Sequence, residues 1–315
     1  MKAIREAYGE TLAKLGIENK NIVVLDADVS GSTKSGMFGG QFPERFYNMG
    51  VCEANMIGAA SGLSSVGKVP FVNTFAVFMI NRGADAIRNS ICYPNLNVKF
   101  AGAYSGMSDS YDGATHHSIE DISFMRTMPN MTVFSVCDEV QTSKLTKEAS
   151  EINGPVYLRL SRAVMPKVYD EDQSFRAGGS VTLKEGRDVT VMATGYMVHK
   201  ALEAAKELEG YGVSVRVVDM YSIKPIDKGV IIRAAKETKG IITLEEHSII
   251  GGLGSAVSEV VTQNTLVPMK ILGIKDTFTE TGDYEQLLKK YDLSAEAVLE
   301  AVKELIPEKS NFKTA

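Results

Sequence analysis

Cysteine is scarce in this sequence: Cys52, Cys92 and Cys137 are the only three in 315 residues, and they are scattered. An odd number with no CxxC pair and no Cys/His cluster indicates neither a disulfide framework nor a zinc site. Such cysteine usage suits a reducing compartment. The chain also lacks a dense Lys/Arg stripe with interleaved aromatics, and its formal net charge is −5, so no nucleic-acid partner is expected. No apolar run is long enough to span a membrane. The N-terminal MKAIREAYGETLAKLG is an amphipathic, mixed-charge helix pattern rather than a signal peptide. A cytoplasmic protein with no membrane partner is the expectation. Repeats and low-complexity tracts are missing too.

What remains is an ordinary globular composition, 44% apolar and 23% charged. The length exceeds one ordinary core and predicts two domains. Apolar, β-branched runs alternate with helical patterns along the chain. NIVVLDAD (Asn21–Asp28), VPFVNTF (Val69–Phe75), VKFAGAY (Val98–Tyr104), MTVFSV (Met131–Val136) and VYLRLS (Val156–Ser161) read as strands. Helices are expected over Ala54–Ser65, Met79–Ser90 and Glu139–Ser150. The polar, Gly-rich stretch after Met165 breaks the pattern, and 171–187 reads as a linker. DVTVMATG, VSVRVVDM, GIITLEE and PMKILGI then alternate with further helices, ending in two short amphipathic ones over Asp283–Leu305. The fold class is α/β, with mostly parallel sheets in two domains, 1–170 and 188–315.

Ligands of open parallel sheets bind beyond the carboxyl ends of the strands, and unusual residues gather there in the first domain. DADVSGSTKSG follows the first strand, TFAVF the second and YSGMSDSYDGATHHSIED the third, while RLSR ends a later one. Each has a plainer reading. Glu53, the lone charge in MGVCEANMIGAASGLSS, is placed to cap a helix start through backbone N–H groups. Phe75 and Phe78 have the spacing of a core helix face. DGATHH fits a surface turn, although paired His116 and His117 in a Gly- and Ser-rich loop favour a site. Arg159 and Arg162 fit surface ion pairs. GGLGSA (Gly251–Ala256) looks like a phosphate loop, and close helix–strand packing explains it equally well.

Together these segments resemble the transketolase family of thiamine-diphosphate enzymes over the whole chain. MGVCEANMIGAASGLS resembles the family's G-x-x-E helix start, TFAVF its pyrimidine-pocket aromatics, and DGATHHSIEDISFMRTMPNM its D-G-x-T-H segment. VYLRLSR is similar to its strand ending in arginine, and YSIKPID with LEEHSIIGGLGSAVSE to its C-terminal domain. The family's G-D-G motif, which holds the diphosphate through Mg²⁺, does not occur. The resemblance therefore implies the C-terminal subunit of a split transketolase. A partner chain would carry the diphosphate-binding domain and most of the Mg²⁺ contact, in a dimer of heterodimers acting on sugar phosphates, and this chain alone would be inactive.

Residue by residue, the resemblance implies that Glu53 hydrogen-bonds the aminopyrimidine ring nitrogen. Phe75 and Phe78 would pack on that ring and Asp28 would lie near the thiazolium. His116 would contact the donor's hydroxyl and carbonyl region, Asp112 would read the C2 hydroxyl, and Arg162, Arg5 and Ser32 would grip the phosphate. Asn81 stands where an aromatic often completes the pyrimidine pocket, Tyr104 where a histidine often helps bind phosphate, and His117 where a glutamine is common. The likeness leaves three alternatives. A 1-deoxyxylulose-5-phosphate synthase-like half shares the D-G-x-T-H segment. A 2-oxoacid dehydrogenase E1 β subunit shares the glutamate but usually lacks that loop. A non-catalytic regulatory subunit would have no need of Glu53 and His116.

Overall fold

The structure is a computed structural model that describes residues 2–307. The last eight residues of the expected second domain lie outside them. Among the described residues twelve strands form two sheets. In chain order they are β1 (Ile22–Asp26), β2 (Phe46–Asn48), β3 (Val69–Phe75), β4 (Lys99–Ala103), β5 (Thr132–Ser135) and β6 (Val156–Leu160), followed by β7 (Val181–Lys184), β8 (Val189–Ala193), β9 (Val215–Asp219), β10 (Ser222–Lys224), β11 (Ile241–Ser248) and β12 (Met269–Ile274).

The first sheet runs β10-β5-β6-β4-β3-β1-β2 and the second β12-β11-β8-β9-β7. Neighbours are parallel except at β10 and β7. Helices cover both faces, and β1, β4, β6, β8 and β9 are buried along their whole length. This is why those strands read as continuous apolar runs rather than alternating ones.

Two short strands depart from the expected organisation. The stretch read as linker is not a free tether: it supplies β7, an antiparallel edge on β9. It also buries Phe175 between Tyr169 and Tyr221, with ring centroids 4.9 and 5.2 Å apart. YSIKPID, though it follows β9, does not extend the second sheet. Its residues Ser222–Lys224 are β10, which pairs with β5 and closes an edge of the first sheet.

Helix starts follow local chemistry. Asp138 begins Glu139–Glu151 by accepting the Gln141 N–H at 2.7 Å with one oxygen. Its other oxygen takes the N–H groups of Val168 and Tyr169, each at 2.9 Å, so one carboxylate caps a helix and anchors the chain leaving β6. The expected helix over Met79–Ser90 runs as Ala76–Asp85 and then widens into a π-helical turn, Ala86–Cys92. Among the described residues no helix is long and apolar enough to cross a membrane.

Candidate active site

Parallel strands deliver their C-terminal loops to one edge of the first sheet, where a wall of rings forms. Phe75 ends β3, and the helix Ala76–Asp85 starts immediately, placing Phe78 and Arg82 on the same side one and two turns on. The Phe75 ring lies 4.4 Å from Tyr104 at an interplanar angle of 26°, and 6.0 Å from Phe78 at 24°. The His116 ring stands edge-on to both, 5.1 Å from Phe78 and 6.4 Å from Phe75. Offset and edge-on contacts at these distances are favourable and exclude water.

Glu53 lies at one end of this wall. It is the first residue of the helix Glu53–Ser65 and is 2% exposed. Both carboxylate oxygens accept from Arg82 Nη1 at 3.0 Å. The helix-cap reading is therefore not what the structure shows, since the carboxylate faces a side chain across the site. Arg82 is half exposed and its guanidinium lies 4.1 Å from the Phe78 centroid.

Tyr104 forms the other end. Its hydroxyl accepts from Arg5 Nη1 at 2.7 Å, and the Arg162 guanidinium lies 5.1 Å from its ring. Arg162 pairs with Asp109 at 2.5 Å. Burial raises the Asp109 carboxyl above its usual range, Arg162 opposes this and neighbouring Asp112 adds to it. Glu53, Phe75, Phe78, His116, Tyr104, Arg5 and Arg162 thus share one continuous cluster. Three expected residues stand apart. Asp28 is exposed and accepts from Asn48 at 2.7 Å, and Asn81 donates to Glu120 at 3.1 Å. Ser32 is half-buried on the short turn Ser30–Thr33, with no hydrogen bond to either arginine among the described residues.

The second half of the chain holds the loop that bears His116. Glu246, at the end of β11, accepts the Met107 N–H at 2.5 Å and the Tyr284 hydroxyl at 2.9 Å. Gly106 has φ +65°, and a Cβ there would come 2.4 Å from the Glu246 carboxyl carbon, so a side chain is excluded. Gly282 N–H donates to Ser110 O at 3.0 Å and Ser248 N–H to Ile119 O at 2.7 Å.

His117, unlike His116, is buried, and burial lowers its pKa. Its Nε2 lies 3.1 Å from the Asp109 carbonyl and its Nδ1 2.6 Å from Thr279 Oγ1. As a neutral ring it donates from Nε2 and accepts at Nδ1, which makes it a strut rather than a surface site. Arg159 is not at the surface either: at 4% exposed it pairs with buried Asp121 at 2.8 Å and donates to the Glu246 carbonyl at 2.9 Å.

The Gly-rich loop holds no open anion site. Buried Glu245 already accepts the N–H groups of Leu253 and Gly254 at 2.6 and 2.7 Å, and a Cβ on Gly252 would lie 2.1 Å from its oxygen. A phosphate there would meet a carboxylate, so close packing is what the glycines provide.

Burial pushes Glu246 up to about 7, with Arg159 opposing. The folded state thus holds this proton more tightly than the unfolded chain, and stability falls as pH rises from about 4.5 to about 7. Glu246→Gln removes that loss. Its unfolding midpoint in urea, compared with the unmodified chain, should gain between about pH 5 and about pH 8; parallel profiles would contradict the assignment.

Residues 1–167 match the family "Transketolase, pyrimidine binding domain" and 178–298 match "Transketolase, C-terminal domain". The chain belongs to the transketolase family. A transketolase C-terminal section from Methanocaldococcus jannaschii is 43% identical over 96% of both chains. A 6-deoxy-6-sulfo-D-fructose transketolase subunit from Clostridium sp. is 38% identical over 98% of this chain and 96% of its own. A solved split-gene transketolase, described as an inactive β4 tetramer, has a TM-score of 0.89 at 51% identity, covering 98% of this chain and 99% of that one. Rat transketolase is matched over only 49% of its length. Transketolase subunits of this chain's own span thus exist beside transketolases twice as long.

Proposed function

We propose that this chain is the pyrimidine-binding subunit of a two-chain transketolase, moving a two-carbon ketol unit from a ketose to an aldose. Glu53 carries the reading: a buried carboxylate beside an aromatic wall, closed off by one half-exposed arginine. The residues fit thiamine diphosphate's pyrimidine, because a flat ring can lie against Phe75 and Phe78 while the carboxylate takes its ring nitrogen. When bound, that cofactor supplies the electron sink for the two-carbon unit.

This chain's residues would then bind and orient. Glu53 holds a proton at the pyrimidine nitrogen, an interaction strengthened by the low local dielectric. His116 faces the donor's hydroxyl and carbonyl region, with Asp112 reading its C2 configuration. Arg5, Arg162 and Tyr104 meet the sugar's far end, whereas Asp28 and Asn81, read for the cofactor, and Ser32, read for the sugar, stand outside that cluster and would act only from its rim. Among the described residues no group of three or more His, Cys, Asp or Glu side chains could hold a metal ion. A partner chain carrying the diphosphate-binding domain would hold Mg²⁺, in a heterotetramer built on paired copies of this subunit.

Mixing the chain with a partner bearing the G-D-G motif, Mg²⁺ and thiamine diphosphate tests this. Ketol transfer is expected from the pair and from neither chain alone. A pair with cofactor bound that turns over no ketose would refute the proposal.

A further inference from the structure

We propose that Asp109 sets the charge accepted at the sugar's far end, so that this site takes a monoanionic terminal group in preference to a phosphate dianion. The inference rests on the reading of Arg5, Arg162 and Tyr104 as the grip on that end. Both guanidiniums are tied to one ring: Arg5 donates to the Tyr104 hydroxyl, and the Arg162 guanidinium lies 5.1 Å from the ring centroid. Two positive charges side by side would suit a dianion.

Asp109 changes the sum. It is 0% exposed, one oxygen pairs with Arg162 Nη1 at 2.5 Å, and the other is buried without a hydrogen-bond partner. A carboxylate so placed has no water to turn to, and drawing Arg162 away would strand it. The charge of Arg162 is therefore committed within the protein. Asp109 thus offsets one of the two guanidinium charges and leaves one for the sugar's end.

Asp109 cannot easily turn aside. Its carbonyl receives the Asp112 N–H at 3.1 Å and lies 3.1 Å from His117 Nε2, while the Arg162 N–H is held by Ser108 Oγ at 3.0 Å. A phosphate monoester bears close to two charges at neutral pH. A sulfonate presents three similar oxygens with one charge, and Arg5 with the remaining Arg162 donors can meet it.

The test is calorimetric titration of the two-chain complex with ribose 5-phosphate and with its 5-deoxy-5-sulfonate counterpart, at about pH 8 where the phosphate is a dianion. The unmodified complex is expected to bind the sulfonate at least as tightly as the phosphate. Asp109→Asn should shift the ratio toward phosphate by about tenfold or more. Phosphate preferred tenfold by the unmodified complex would overturn the inference whether or not the variant folds. So would equal weakening of both ligands in Asp109→Asn, which would make Asp109 a support for Arg162, and so would binding of neither sugar. Binding as expected without ketol transfer from any ketose would overturn the proposed function and leave this inference standing.

Discussion

Replacing Glu53 with glutamine is expected to slow deuterium exchange at the cofactor's C2 position roughly 10²–10⁴-fold in the assembled two-chain enzyme. The substitution keeps the side chain's shape and one acceptor for Arg82 but removes the charge that would retain a proton at the pyrimidine nitrogen. Because Glu53 is 2% exposed, no water stands ready to replace that charge. Assembly should survive, since Arg82 is half exposed and can turn to solvent. Exchange followed by proton NMR, with sedimentation of the same samples, separates the two effects. Exchange at the unmodified rate would remove Glu53 from the proposed role.

A second large effect is expected at a buried ion pair. Arg159→Met should destabilise the fold by about 3–5 kcal/mol, the usual cost of breaking a buried ion pair from one side. Arg159 is 4% exposed and Asp121 0%. One Asp121 oxygen already lacks a partner, and the other would keep only the Tyr157 hydroxyl at 2.7 Å. The Ser118 and Glu246 carbonyls would lose a donor as well. A double variant with Asp121→Asn should recover part of the loss, because no charge is then left stranded. Urea unfolding at neutral pH measures both; a loss below about 1 kcal/mol would place Arg159 among weak surface pairs.

The two substitutions sit on opposite sides of what the chain's pattern reveals. Strands buried on both faces announce themselves as apolar runs, so the sheet edge was readable from residues, whereas Phe75 and Phe78 at helical spacing fitted a core helix face and only the family resemblance put them in a ring wall. Arg82 shares that helical face, four residues after Phe78, and could have been added by the same reasoning. β7 and β10 could not, because strands of four and three residues carry no period, and the sheet each one joins depends on tertiary contacts. Buried acids are equally silent. Asp109, Asp121 and Glu246 look like any solvent-facing carboxylate until the fold closes over them. Paired histidines misled in part: His116 reached the ring wall, while His117 turned inward to Thr279.

The crossing of β10 bears on how such polypeptides can be divided and shuffled. Three residues from beyond β9 complete the sheet whose strand β3 ends in Phe75. A gene interrupted between 185 and 221 would release a product ending in an open β5 edge, ready to pair with a stranger. The second product would carry β10, a strand left with no sheet to enter. Recombination that preserves folding must therefore move both halves as one inheritable block.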